Sequence, residues 1–280
     1  MKPQLLLILF VIVVFLSGCV ETKNMVSSVG LSSALTSDTK QAEASMPITF
    51  ILTVKNLASE NARDISTQLL NLTGWRVEDA LQNLDELLSG DLYKFSWVAY
   101  APATPNKTFT PFANLFYGME TESKLTLRVY NNDYLNTLKP DEREKIRGKS
   151  ALLSSVTSSE TPVSLKISLQ QPFILSDYSQ KFPFVIEVKN AGLGQVYSDD
   201  ATYLPSESEK NYFRFSYTGN ASMICDFDTG DLARLIDGSK NIVCRLIATE
   251  DEVNSYADFT VSFTMSYTYL DRASMKIGVV

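Results

Sequence analysis

Residues 48–56 read Ile48-Thr-Phe-Ile-Leu-Thr-Val-Lys-Asn56, and residues 182–190 read Phe182-Pro-Phe-Val-Ile-Glu-Val-Lys-Asn190. Apolar residues fall at every second position: Phe50, Leu52 and Val54 in the first run, Phe184, Ile186 and Val188 in the second. That period is the mark of a strand with one buried face. Each run closes on Val-Lys-Asn, and an asparagine able to bond its own backbone suits the point where a strand gives way to a turn. The two asparagines stand 134 residues apart (190 − 56). Moving outward, Val29, Leu31 and Leu35 match Val163, Leu165 and Leu169 at that offset. Leu125-Thr-Leu-Arg-Val129 matches Phe259-Thr-Val-Ser-Phe263 in the same way. Three segments sharing one offset predict a single fold built twice, and short alternating strands separated by turns predict that it is a β-sandwich.

The expected architecture is all-β: two tandem immunoglobulin-like β-sandwiches with a short helical insert in each, after an N-terminal signal or anchor segment. The predicted boundaries are 1–18 for a signal peptide, 19–28 for a tether, 29–138 for the first sandwich, 139–161 for a linker and 162–280 for the second. The helical inserts are read from Val77 to Leu88, where apolar residues are spaced by three and four before Gly90, and from Asp231 to Ile236 before Gly238. In the linker, Pro140 and Gly148 bracket a solvated helical turn or two, and the Ser/Thr-rich run 150–161 predicts a flexible join. Between the copies, Trp75 and Trp97 align with Cys225 and Cys244, so two indoles are expected to fill in one core the place a disulfide takes in the other.

A strand ending in Val-x-Asn, the Gly-containing turn Asn190-Ala-Gly-Leu-Gly194 and a Tyr-rich final strand resemble the CARDB-type and related immunoglobulin-like modules of archaeal and bacterial surface proteins. The first copy departs from this pattern at Leu57-Ala58, where the glycines are missing. The resemblance implies adhesive, structural or presentation roles and brings no catalytic residues with it.

The start of the chain predicts its compartment. Lys2, an apolar run from Leu5 to Leu16, and then Leu16-Ser17-Gly18-Cys19 have the composition of an export signal. The ending resembles the lipobox of prokaryotic, in particular archaeal, lipoproteins, which implies lipid on Cys19 and a chain held at the outer face of the cell membrane. The other reading is an uncleaved helix, for which the apolar run falls short of the ~20 residues a span needs. With Cys19 so used, Cys225 and Cys244 remain as a disulfide pair in an oxidising compartment, with two buried thiols as the alternative. Asn71, Asn106 and Asn220 open Asn-x-Ser/Thr triplets, acceptors for glycan in a host that glycosylates exported chains.

Composition narrows the chemistry. There is no histidine, which removes His-based triads, His-ligated zinc and the commonest general base. Net charge is −7 and pI about 4.8, which argues against nucleic acid and against anionic lipid as general partners. Asp228-Thr-Gly230 matches the aspartic protease triplet, but that chemistry needs a second carboxylate held in the same site, and the chain has no second triplet. Asp226, Asp228, Asp231 and Asp237 can be set against a calcium loop, although Gly230 falls fifth rather than sixth. A solvated acidic turn is the simpler reading, so no catalytic residue, metal or cofactor is expected beyond that calcium option. Eight tyrosines of the second copy, from Tyr178 to Tyr269, are read mainly as strand residues. The expected function is a non-enzymatic, membrane-anchored surface protein for adhesion, envelope architecture or assembly. Its partners are the membrane through Cys19 and a surface protein or glycan. The alternatives are a ligand-binding lipoprotein of a transporter or sensor, and a carboxylate-based enzyme acting on polysaccharide.

Overall fold

The computed structural model describes residues 29–148, 153–169, 172–201 and 205–280. The chain is mostly β. The first half supplies β1 (Leu31–Ser37), β2 (Gln41–Ala42), β3 (Pro47–Asn56), β4 (Ala62–Leu70), β5 (Arg76–Val77), β6 (Leu81–Leu87), β7 (Leu92–Tyr100), β8 (Lys107–Phe109) and β9 (Phe112–Asn131). Two short helices follow, α1 (Asn132–Thr137) and α2 (Pro140–Arg147). The second half begins with β10 (Leu153–Ser158), β11 (Val163–Leu169), β12 (Phe173–Leu175), β13 (Ser179–Asn190), β14 (Gln195–Tyr197) and β15 (Tyr212–Gly219). It ends with β16 (Ser222–Cys225), β17 (Asp231–Arg234), β18 (Ser239–Thr249), β19 (Tyr256–Ser274) and β20 (Ile277–Val279).

The deciding stretches are the strands their alternation predicts: β3 and β13 each bury every second residue. They sit centrally in two four-stranded sheets, β1-β3-β7-β5 and β11-β13-β18-β16. Between the halves runs a nine-stranded sheet whose path is β17-β15-β19-β9-β4-β6. Its spine is the antiparallel pair β9–β19, in register from Phe112↔Ser274 to Tyr130↔Tyr256. Odd-numbered residues of both long strands, such as Leu125, Leu127, Phe259, Val261 and Phe263, point to one face and are buried. Both four-stranded sheets pack on that face, and one continuous apolar core joins them.

Register reveals how the halves correspond. Leu31 faces Asn56 and Val163 faces Asn190, so β1 and β11 are equivalent at an offset of 132 (163 − 31) rather than 134. Trp97 faces Phe50 and Cys244 faces Phe184, an offset of 147 (244 − 97). The amide of Leu31 donates to Tyr117 Oη and that of Val163 to Tyr267 Oη, an offset of 150 (267 − 117). The constant 134 therefore holds only for β3 and β13. Upstream, the facing pair stands 25 residues apart in the first half (56 − 31) and 27 in the second (190 − 163). Downstream, five residues lie between Asn56 and Ala62, against twenty-one between Asn190 and Tyr212. Leu125–Val129 and Phe259–Phe263 are not equivalents but direct antiparallel neighbours, matched because facing strands share their alternation.

The halves also exchange strands. The end of β9 passes into the second half and pairs in parallel with β12. In return β20 lies between β2 and β8 of the first half.

Both expected helical inserts are corrected to strands. Residues 81–87 form β6 on β4, and 231–234 form β17 on β15. Spacings of three and four over so few residues are met equally by an edge strand. An isolated helix of this length is marginal, whereas the neighbouring strand offers a ladder partner to each peptide. The helical turn at Pro140 is there as α2, but the run expected to be a flexible join contains β10, laid against Ser123–Leu127 of β9.

Candidate functional site

The cysteine pair is a disulfide, Cys225–Cys244, with 4.0 Å between the Cα atoms. The two residues face each other on neighbouring strands of one sheet, so the bond staples β16 to β18 and does not cross between sheets. Trp97, buried with its indole N–H on Ala80 O at 3.0 Å, does occupy the position of Cys244. Trp75 does not match Cys225: it precedes β5 and packs edge-on against Phe50 and Phe109.

At the meeting of the halves lies a buried polar network that sequence reading missed. Asn56 Oδ1 accepts from Ala58 N, while its amide donates to Glu60 O and Leu87 O. Asn190 repeats the pattern, accepting from Gly192 N and donating to Gly194 O. The Val-x-Asn ending is thus a side chain closing a five-residue loop in both halves, glycines or not. Tyr269 Oη accepts from Gly194 N at 2.8 Å and donates to Asn190 Oδ1. Burial pushes the phenols of Tyr117, Tyr267 and Tyr269 up from the ordinary tyrosine range, so they stay neutral donors and acceptors. Thr121 Oγ1 links Thr161, Val163 O and Tyr267 Oη. The tyrosine excess of the last strand was visible in sequence; its pairing with strand starts was not.

The four aspartates of the calcium option are not gathered. Asp226 Oδ2 accepts from Val243 N of the neighbouring strand, and Asp231 Oδ2 accepts from Asp228 N within its own turn. Asp237 lies in the β17–β18 turn with φ at +51°. Among the described residues no three His, Cys, Asp or Glu side chains are placed to hold a metal ion. Asp228-Thr-Gly230 is the turn between β16 and β17, with Gly230 N bonded to Phe215 O. Arg214 ties that turn down, donating to Gly230 O and to Asp199 Oδ2.

Of the triplet asparagines, Asn71 donates to Thr110 O, and Asn220 accepts from Thr260 N at 2.7 Å; both side chains are engaged. Asn106 is exposed, with its backbone N–H on Val279 O. Cys19 lies outside the described residues.

One concavity near the junction opens on the solvent face of the nine-stranded sheet. It has a volume of about 330 Å³ and is lined by Glu60, Arg63, Asp64, Glu120, Asp199 and Ser266, with Gly118 at its floor. A bulge in β4 between Arg63 and Ser66 forms one wall, and the long connection before β15 forms the other. A second groove, of about 410 Å³, runs past Glu122, Lys124 and Thr157–Glu160.

No family model matches the chain, and no curated protein does. Among solved structures it is similar to the secreted serine protease VesC from Vibrio cholerae, at 8% identity and TM-score 0.24, covering 90% of this chain and 52% of that one. It is also similar to red sea bream transglutaminase, at 9% identity and TM-score 0.23, covering 91% of this chain and 32% of that one. A third is the collagen adhesin CNA from S. aureus, at 10% identity and TM-score 0.15, with coverages of 87% and 81%. The chain spans about half the length of the protease and a third of the transglutaminase. At these scores none of the likenesses bears on function.

Proposed function

We propose that this chain is a non-enzymatic lipoprotein, held by acylated Cys19 on the outer face of a membrane, whose two immunoglobulin-type halves serve adhesion, envelope architecture or assembly with another exported protein. The observation that carries the reading is the export signal ending Leu16-Ser17-Gly18-Cys19 on a chain whose other two cysteines are joined to each other. A disulfide persists where the surroundings are oxidising, which agrees with export. Two of the aspartates that resemble calcium residues bond backbone, Asp226 on the neighbouring strand and Asp231 within its own turn, which favours a scaffold over a reaction centre. Under this reading the halves fall at 29–138 and 162–280, and the CARDB-like resemblance belongs to both.

The test is mass spectrometry of the native N-terminus together with membrane fractionation. A mature chain beginning at acylated Cys19, and release from membranes in Cys19→Ala, are expected. An unprocessed, unmodified start would overturn the anchor.

A second reading has one observation in its favour. The 330 Å³ groove brings Glu60, Asp64, Glu120 and Asp199 around one opening, a setting for a polyhydroxylated ligand or for paired-carboxylate hydrolysis of a polysaccharide. Glycan-array binding abolished by Glu120→Gln would favour it over the scaffold.

A further inference from the structure

The whole-chain charge conceals a face of the opposite sign. The two four-stranded sheets lie side by side on one side of the nine-stranded sheet, so the outward positions of their strands form a single solvent-facing layer. Along β1, β3, β7, β11, β13 and β18 those positions hold Lys55, Lys94, Lys166, Lys181, Lys189 and Arg245, all exposed. The carboxylate among them is Glu187; with Arg76 of β5, and with Asp38, Glu78 and Asp226, whose backbones extend these ladders, the layer carries +3 (7 − 4) on a chain whose formal net charge is −7. Among the described residues none of these cations is in an ion pair. Exposed Leu92, Val98 and Ile224 lie between them.

The first described residues lie at the seam between the halves. A Cβ built on Gly30 would stand 2.5 Å from Pro162 Cγ, which places the approach to β1 against the approach to β11, between the two small sheets. Nine residues separate Cys19 from Val29, so ten Cα–Cα steps reach at most about 35 Å when fully extended and roughly 17 Å as a flexible coil.

We propose that the outward face of the two four-stranded sheets is a membrane-docking surface that lies on anionic lipid headgroups. This rests on the anchored reading above. The anchor supplies proximity and the cations supply orientation: the cationic layer turns toward the bilayer, and the groove of the nine-stranded sheet turns away from it. Each cation brought near an anionic surface strengthens association by roughly fivefold, an effect that salt removes. The low pI therefore does not exclude anionic lipid, because the face and not the total decides.

The experiment uses the full chain reconstituted through its own N-terminal segment. The vesicles are phosphatidylcholine alone or phosphatidylcholine mixed with phosphatidylglycerol. A fluorophore is placed at Ser96→Cys or Asn241→Cys on the proposed face, and at Lys124→Cys on the opposite one. A lipid-borne quencher should dim the first two labels at least about twofold in the anionic vesicles, leave the third unchanged, and lose its effect in high salt. The variant Lys55→Glu/Lys94→Glu/Lys189→Glu/Arg245→Glu, checked for native circular dichroism, should behave like wild type in high salt. Equal quenching at all three positions, or quenching indifferent to phosphatidylglycerol, overturns the docking surface while leaving the anchor intact. Failure of the chain to float with any vesicle overturns the anchor, and the docking surface with it.

Discussion

The two halves solve one packing problem with different chemistry. At the centre of its small sheet the first half places Trp97 against Phe50; the second places Cys244 against Phe184 and binds it to Cys225. The first solution fills volume and removes a large apolar surface from water. The second fills less, and instead restricts the unfolded chain. The halves differ again after β3 and β13, where five connecting residues become twenty-one and carry β14 across to β19. A backbone scheme can thus be kept while the source of its stability changes. What stays fixed is the asparagine-closed turn and the tyrosine of the long strand that receives the first amide of each half's small sheet.

That comparison can be broken at its strongest point first. Trp97→Ala should cost about 3–5 kcal/mol, because a fully buried indole leaves a cavity and Ala80 O loses its donor. Thermal unfolding of the variant measures it; a loss below that of the disulfide would contradict the volume argument. Next, Cys225→Ala/Cys244→Ala should cost about 3 kcal/mol for a loop of this size. Because the two halves share one core, both variants should lower a single cooperative transition. Two separate transitions, with only one moved by each variant, would show the halves to be energetically independent.

Finer comparison falls on the asparagines. Asn56→Ala should destabilise by about 1–3 kcal/mol, since Ala58 N, Glu60 O and Leu87 O all lose their partner in a fully buried site. Asn190→Ala, in a partly exposed site whose loop already has two glycines, should cost less. Chemical denaturation midpoints of the two variants rank them directly.

The smallest effect belongs to the pair that spans the spine. Arg128 donates twice to Asp258 directly across from it, both at 2.7 Å, and holds that carboxyl below its ordinary range. A depressed folded pKa means that the stabilisation is present above the unfolded carboxylate value and fades as pH falls through the folded one. Both side chains are more than a third exposed, so the contribution is under about 1 kcal/mol. Arg128→Gln should therefore leave stability at neutral pH nearly unchanged and slightly flatten its decline in acid.

The β3 and β13 strands were legible because a period of two kept over nine residues fits a half-buried strand and does not fit a helix. The disulfide was legible because lipidation of Cys19 would leave two cysteines, and the all-β character because the alternation recurred. The remainder depended on information outside any short window. Residues 81–87 carry an apolar spacing that suits helix as well as strand, and only the open edge of β4 decides between them. The 134 offset held for one strand pair and elsewhere was kept by coincidence of alternation, because an insertion after Asn190 cannot be seen as one without the register. The groove was hidden for the same reason: Glu60, Glu120 and Asp199 come from three segments that meet only once β9 and β19 have paired.

The reciprocal exchange of β20 and the end of β9 bears on how such a chain would withstand proteolysis. A cut in the connection at 149–152 would sever the backbone without freeing either portion, since each still has a segment woven into the other. Cleaved and intact chains would then migrate together until denatured.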